Sequence, residues 1–160
     1  MCAIISLMKK KIGHLAFFIG LLGIDQFSKL WAQRELVVPR CVLPNFFYLT
    51  YTQNSGAAWS ILSGQRLFFL VVGVLAVVFL LYWYIKSKTG WSQLALVMMT
   101  AGACGNLLDR IFLGEVRDFL DFYIFGYDFP IFNAADTVLC LGAGLMFLDI
   151  LWQEKPWRKA

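Results

Sequence analysis

Residues 67–85, LFFLVVGVLAVVFLLYWYI, run for 19 positions without a charged side chain. A helix needs about 20 mostly apolar residues to cross the roughly 30 Å hydrocarbon core of a bilayer, and this stretch has that length. The rest of the chain has the same character: 60% of its 160 residues are hydrophobic, only 15% are charged, and the mean hydropathy is +0.69. These values lie outside the range of soluble domains and predict an integral membrane protein.

Three more apolar stretches predict three more spans, over residues 12–32, 91–108 and 131–148. Between the first two spans, residues 38–63 include FFYLTYT, whose aromatic and β-branched content is typical of a strand. Prolines precede this run and an NSG turn follows it, so we expect a small β-element there. The predicted fold is therefore one all-α membrane domain over residues 1–160, with four transmembrane helices and a small extracytoplasmic β-element.

The basic side chains predict an orientation. If both chain ends and the loop between spans two and three are cytoplasmic, that side carries eight of the fourteen basic residues, namely Lys9, Lys10, Lys11, Lys86, Lys88, Lys155, Arg158 and Lys159. Because cytoplasmic segments are enriched in Lys and Arg, this distribution predicts that both termini are cytoplasmic. Several polar side chains then gather near the outer face: Asp25, Lys29, Asn106, Arg110, Asp118 and Asp136.

Several function classes lack the residues they need. The net charge of +4 comes without a basic stripe, so no nucleic-acid partner is expected. The four cysteines show no C-x-x-C spacing, which argues against a zinc site or a disulfide framework. His14 is the only histidine, and it follows Lys9–Lys11 on the predicted cytoplasmic side. We therefore expect no His-based triad, no metal and no other cofactor.

Asp136 lies inside an apolar stretch, where a carboxylate costs roughly 2.5 to 3.5 kcal/mol on insertion scales. Gly102, Asn106 and Arg110 recur at four-residue intervals and so share one face of span three. Asn133 and Asp136 share a face of span four. If the two faces meet, amide and guanidinium donors surround the carboxylate and offset this cost.

A second acid would turn such a cluster into a candidate active site. Asp118 lies in the connection that leads back into span four, from which it can fold over Asp136. Two neighbouring carboxyls cannot both ionise readily, so one keeps a proton and the pair can act as base and acid together. Spacing alone does not decide whether Asp118, Asp121 or Asp128 is the partner.

Other interpretations of these residues stay open at this point. Asn106, Arg110 and Asp136 can form an interhelical polar clasp without chemistry. A small transporter or proton-relay subunit also uses intramembrane Asp and Arg, although it would place acids at several depths. A structural or assembly subunit is the third alternative, and it predicts that replacing Asp118 is harmless.

The remaining polar residues have simpler interpretations. Asp25 and Lys29 are four residues apart on one helical face, which predicts an ion pair at the outer end of span one. Ser28 and Lys29 are adjacent and point about 100° apart, so they do not form a serine/lysine nucleophile. We expect the other acids of the connection to be solvated loop charges, namely Glu115, Asp121 and Asp128.

Five blocks of the chain resemble a known family in both order and spacing. They are DQFSK (25–29), QNSGAAWSIL (53–62), GNLLDR (105–110), GEVRDFLDF (114–122) and FNAADT (132–137). Together they resemble the bacterial lipoprotein signal peptidases, the signal peptidase II family. The resemblance covers essentially the whole chain.

The resemblance implies an aspartic peptidase of the inner membrane that cuts diacylglyceryl-modified prolipoproteins just before the lipidated cysteine. The family's catalytic pair matches Asp118 and Asp136, which leaves Asp121 as a neighbour. Other matched positions would support the substrate or the pair, namely Asn54, Gly56, Asn106, Arg110, Asn133, Asp25 and Lys29. Prolipoprotein and membrane lipid are the implied partners, and we expect a monomer. The sequence assigns no role to Cys104 or Arg117.

Overall fold

Four long helices form the body of the protein. The computed structural model describes residues 2–57 and 61–154. The helices are α1 (Cys2–Glu35), α2 (Arg66–Lys86), α3 (Gly90–Phe112) and α4 (Ala134–Gln153). Each contains a stretch long and apolar enough to cross a membrane. The predicted architecture of four spans is confirmed.

Helices α1 and α4 differ most from the sequence-based expectation, while α3 continues to Phe112 rather than residue 108. α1 has 34 residues rather than the predicted 12–32, and at 1.5 Å per residue it is about 51 Å long, so it exceeds the hydrocarbon core. α4 begins at Ala134 rather than at residue 131. The reason is a capping box, in which the Asn133 side chain accepts from the backbone N–H of Asp136 and the Asp136 carboxylate accepts from the backbone N–H of Asn133.

A small antiparallel sheet lies outside the spans. Its strands are β1 (Arg40–Leu43), β2 (Phe47–Asn54), β3 (Val116–Ile124) and β4 (Tyr127–Asp128), paired in the order β1-β2-β3-β4. The first two confirm the predicted β-element, but it is only half of the sheet, because β3 and β4 come from the connection between α3 and α4. The pairing of β2 with β3 sets Thr52 opposite Asp118 and Asn54 opposite Val116.

The sheet is fixed to the end of α1 by a small hydrophobic core. Ala32 of α1 and Leu36, the residue that follows this helix, are buried there against Phe119 of β3. Aromatic rings add to the packing within the sheet, since Phe122 stacks on Phe47 with the ring centroids 4.4 Å apart. These contacts hold β3 against the helices.

α3 is the central helix and packs against the other three. Its small residues make this possible: a Cβ added to Gly102 would overlap the carbonyl oxygen of Ala135, and one added to Gly105 would overlap the Asp25 carboxylate. Spans three and four therefore approach each other closely. α2 packs chiefly on α3 and leaves most of its side chains exposed.

The orientation of the bundle stays a prediction. Three of the basic residues that support it, Lys155, Arg158 and Lys159, lie outside the described residues.

We predict that Gly102→Ala destabilises the folded protein by about 1 to 3 kcal/mol, the usual cost of overpacking a tight contact. The added methyl meets a backbone oxygen, which cannot move aside as a flexible side chain would. Thermal unfolding in detergent measures the effect. Gly144→Ala in α4 is the matched control, because no atom lies within 4 Å of its added Cβ. Equal melting temperatures for the two variants would contradict the packing described here.

Candidate active site

Asp136 lies in the first turn of α4 and is held by two amide groups. Nδ2 of Asn106 donates to its Oδ1 at 2.7 Å, and the backbone N–H of Asn133 donates to its Oδ2 at 3.2 Å. The predicted meeting of the polar faces of α3 and α4 is thus present. These bonds, together with the positive end of the α4 dipole, offset part of the cost of burying the carboxylate.

Asp118 lies on β3, where it is only 3% exposed. Its Oδ1 accepts from Nδ2 of Asn133 at 2.6 Å and its Oδ2 accepts from Nδ2 of Asn54 at 3.2 Å. Asn133 therefore bonds to both Asp118 and Asp136. Of the three candidates left open by spacing, only Asp118 shares a hydrogen-bond partner with Asp136 among the described residues.

The surroundings of Asp118 disfavour its charged form. Burial, and after it the negative charge of Asp136, raise the pKa of Asp118 to about 6. The hydrogen bonds from Asn133 and Asn54 act in the opposite direction but do not cancel these effects. Asp118 is therefore a carboxyl that gains or loses its proton close to neutral pH.

Arg110 does not act as expected. Its guanidinium donates to the carbonyl oxygen of Gly56 at 3.2 Å and lies over the ring of Phe69, 5.0 Å from the centroid. No hydrogen bond or ion pair joins it to Asp136 in the described ranges, so the expected direct contact is absent, although the negative charges of Asp136 and Asp118 act on Arg110. Asn54 holds the same loop, because its Oδ1 accepts from the N–H of Gly56 at 2.9 Å. Arg110 and Asn54 thus fix the loop after β2 beside the two acids.

The predicted ion pair of Asp25 and Lys29 is confirmed, with Nζ and Oδ2 3.0 Å apart, and both residues are buried. It also reaches the site. Nζ of Lys29 donates to Oδ1 of Asn106 at 2.9 Å, and Oδ1 of Asp25 accepts from the N–H of Ala135 at 2.9 Å. Lys29 thereby fixes which end of the Asn106 amide faces Asp136, since the ammonium requires the amide oxygen.

Sequence reasoning missed a second buried charge pair behind this one. Asp109 is 1% exposed and accepts from Nη2 of Arg117 at 2.7 Å and from its backbone N–H at 3.0 Å. Nζ of Lys29 is 3.5 Å from its Oδ2. Asp109 lies three residues after Asn106, on nearly the same helical face, and this spacing was the available signal. Arg117 thus gains a structural role, linking β3 to α3.

Asp121 is not the solvated loop charge that we expected. It is 6% exposed, its Oδ2 accepts from the hydroxyl of Thr50 at 2.7 Å, and its Oδ1 has no hydrogen-bond partner among the described residues. It is buried because the connection is a strand rather than a loop. Asp121 and Asp118 line one cavity of about 360 Å³ beside β2. Asp128 is exposed, as expected, and Glu115 is half-buried.

The residues set aside in the sequence have ordinary partners. The hydroxyl of Ser28 donates to the carbonyl oxygen of Asp25 at 2.8 Å, within its own helix. Nδ1 of His14 is 2.8 Å from the hydroxyl of Tyr84. Within residues 2–57 and 61–154, no group of three or more His, Cys, Asp or Glu side chains is arranged to hold a metal ion.

Comparison with known proteins gives consistent matches. The family model for signal peptidase (SPase) II matches residues 17–152. The chain is 40% identical over 141 residues to the lipoprotein signal peptidase of Staphylococcus carnosus (strain TM300), covering 86% of this chain and 89% of that protein. It is 46% identical over 112 residues to the lipoprotein signal peptidase of Staphylococcus aureus (strain JH9), covering 69% of each.

Solved structures agree with the fold. A bacterial membrane enzyme determined by the in meso method at 2.3 Å resolution superposes with a TM-score of 0.82 at 36% identity, covering 90% of this chain and 92% of that one. A second bacterial membrane enzyme structure, at 1.9 Å resolution, superposes with a TM-score of 0.79 at 37% identity, covering 87% of this chain and 92% of that one.

Fold, site and matches together define the class of this protein, a multi-pass membrane protease. More narrowly, the chain belongs to the signal peptidase II family.

We predict that the carboxyl of Asp118 titrates near pH 6 and that Asp136→Asn lowers this pKa, because the substitution removes the negative charge that opposes ionisation. Carbon-13 NMR of aspartate-labelled protein measures it, with Asp118→Asn identifying the signal. Asp128→Asn, at an exposed site, is expected to leave the pKa of Asp118 unchanged.

Because folding raises the pKa of Asp118, the folded state loses stability as pH rises from about 4 to about 6. An Asp118 pKa near 4 would contradict the geometry.

Proposed function

We propose that this protein removes signal peptides from diacylglyceryl-modified prolipoproteins, cleaving before the lipidated cysteine. The family assignment and the named activity of the Staphylococcus relatives support this substrate. The substrate's acyl chains remain in the bilayer, so the scissile bond must be cut at the membrane boundary. The acids at the start of α4 and on the adjoining strand suit that depth.

One observation supports the proposed mechanism most strongly: Asn133 forms hydrogen bonds to both Asp118 and Asp136. We infer an aspartic dyad that holds one proton between its two carboxyls at rest. The raised pKa of Asp118 supports this, because a carboxyl that is part-protonated near neutral pH can serve as the acid of the pair. The apparent pKa values of such a pair belong to both residues.

In the proposed reaction, the ionised carboxylate takes a proton from a water molecule as the water oxygen attacks the scissile carbonyl carbon. The protonated carboxyl donates its proton to the carbonyl oxygen, so a neutral gem-diol forms. The diol then collapses: one hydroxyl returns its proton to the pair, the carbon–nitrogen bond breaks, and the nitrogen leaves with a proton. No covalent enzyme intermediate is required.

The cavity beside Asp118 is the proposed entrance for the peptide. β2 forms one wall through Thr50, Thr52 and Asn54, and the segment from Phe129 to Ile131 forms another. Asp121 and Asp128 also line this cavity. The loop held by Arg110 and Asn54 borders the same site and would exclude bulk water once a peptide binds.

The position in the cell follows from the same proposal. We infer a multi-pass protein of the bacterial cytoplasmic (inner) membrane, with both termini cytoplasmic, the active site near the outer face, and a single domain acting as a monomer. The basic residues of the sequence support this orientation. Lipid surrounding the exposed apolar helices is the second expected partner.

We predict that Asp118→Asn and Asp136→Asn each lower turnover of a purified lipid-modified prolipoprotein at least 10²-fold, because general acid and base catalysis contributes about 10²- to 10⁴-fold. Cleavage is followed by mass spectrometry of the released signal peptide. Glu35→Gln replaces an exposed acid outside this cavity and is the matched control, with turnover expected to be unchanged. Melting temperatures show whether each variant is folded.

The outcomes separate the alternatives. A folded Asp118→Asn protein with normal turnover would remove Asp118 from the dyad and favour a structural role. A wild-type protein that is inert towards lipidated substrate, but conducts protons when reconstituted in liposomes, would favour the proton-relay interpretation.

A further inference from the structure

A second cavity lies on the side of α3 that faces away from the catalytic acids. Its volume is about 380 Å³, and its walls come from three helices: Leu15 and Phe18 of α1, Val77 and Leu81 of α2, and Cys104 of α3. Cys104 and Asn106 are two residues apart, so they point about 200° apart around α3. This groove is therefore separate from the proposed peptide entrance.

Apart from Lys11 at one end, the groove has an apolar wall, because its hydroxyl and imidazole groups are already bonded. The hydroxyl of Thr100 donates to the carbonyl oxygen of Leu96 at 2.6 Å, within its own helix. His14 and Tyr84 bond to each other across the gap between α1 and α2. On α1 the lining runs from Lys11 to Phe18, which is about 10 Å at 1.5 Å per residue. An occupant of this part must be apolar and elongated.

One end of the groove is basic. A neighbouring depression of about 270 Å³ shares Lys11 and Tyr84 with it and adds Lys10 and Gln93. Neither lysine forms an ion pair within residues 2–57 and 61–154, although each can extend its charged group along the surface. The mouth of the groove thus presents two ammonium groups that lack a counterion in the described part of the chain.

Lys10 lies near the start of α3. Its Nζ is 3.8 Å from where a Cβ on Gly90, the first residue of α3, would stand. The start of this helix already has an anion, because the hydroxyls of Thr89 and Ser92 donate there to the carboxylate of Asp149. The preference for a negative ligand at this mouth therefore comes from Lys10 and Lys11, which form no ion pair in the described part of the chain.

We propose that the groove binds one anionic phospholipid. Its phosphate lies between Lys10 and Lys11, and one acyl chain follows the groove past Leu81 towards Cys104. Basic pockets between transmembrane helices are known recognition sites for anionic lipid head groups. A second copy of this chain is a poor occupant, because it would bring the same basic cluster, Lys9–Lys11, to the interface.

The lipid site is distinct from the peptidase site. Fourteen residues of α1 separate Lys11 from Asp25, or about 21 Å along the helix axis. The head group of the lipid therefore lies in the opposite leaflet from the catalytic acids, whichever way the bundle is oriented. The bound lipid fills the gap between α1 and α2, which is present because α2 packs chiefly on α3.

Native mass spectrometry of the full chain in detergent tests the proposal. The probes are phosphatidylglycerol, phosphatidylcholine with the same acyl chains, and glycerol 3-phosphate. We expect one phosphatidylglycerol to bind per chain, at least tenfold more tightly than phosphatidylcholine. The free head group is expected to bind weakly, because it lacks the acyl chain.

Two variants separate the mouth from the groove. Combining Lys10→Gln with Lys11→Gln is expected to weaken phosphatidylglycerol binding about 30-fold, from the usual contribution of each basic residue. The control combines Lys9→Gln with Lys88→Gln, which removes the same charge from residues that line neither cavity.

Leu81→Trp fills the groove and is expected to weaken the binding of both phosphatidylglycerol and phosphatidylcholine. Leu75→Trp, an exposed α2 position outside the groove, is its control.

The result that overturns the proposal is equally direct. Equal affinity for the two lipids, equal losses in a variant and its control, or a lipid-free dimer would each contradict it. Tight binding of glycerol 3-phosphate alone would show that the mouth recognises phosphate without lipid, which also overturns it. None of these measurements depends on peptidase activity.

Discussion

Asn133 makes four hydrogen bonds that bring two acids from distant parts of the chain to one place. Its Nδ2 donates to Asp118 and to Asn106, its Oδ1 accepts from the N–H of Asp136, and its own N–H donates to the Asp136 carboxylate. Asn133 is fully buried. Because a buried amide left unbonded is costly, this arrangement stabilises one relative position of β3 and α4.

Behind Asn133, buried charges make that position rigid. Asp25 and Lys29 of α1 reach both α4 and Asn106, and Asp109 is shared between Lys29 and Arg117. Such a network is favourable only when every member has partners, since a single unpaired buried charge costs on the order of several kcal/mol. The glycines of α3 are what allow the helices to come close enough for it. Packing and polar bonding therefore depend on each other here.

The sequence could predict the helices because a long apolar run has few alternatives to a membrane span. It could also predict the Asp25–Lys29 pair, which depends only on helical spacing. β3 was harder, because VRDFLDFYI is buried on both faces at its start and so lacks the simple alternation of a half-exposed strand. The contacts of Arg110 and Asp121 were not predictable, since each depends on how separate elements pack, whereas the spacing of Asp109 from Asn106 was a signal that could have been used.

The identity of the second acid marks the limit of reasoning from residues alone. Asp118, Asp121 and Asp128 were equivalent by spacing, and resemblance to the family favoured the first. In the structure they differ physically: Asp118 bonds to Asn133, Asp121 bonds to Thr50, and Asp128 is exposed. Two paired strands, β3 and β4, thus give three acids three environments.

The most direct test of this account compares turnover of lipidated prolipoprotein and thermal stability in Asn133→Ser and Asn133→Ala. Serine keeps an acceptor for the Asp136 N–H, so it should retain most of the stability that alanine loses, about 1 kcal/mol. Serine lacks the Nδ2 donor to Asp118, so we expect turnover to fall at least tenfold in both variants. A serine variant with near-normal turnover would contradict the claim that Asn133 joins the two acids into one catalytic pair.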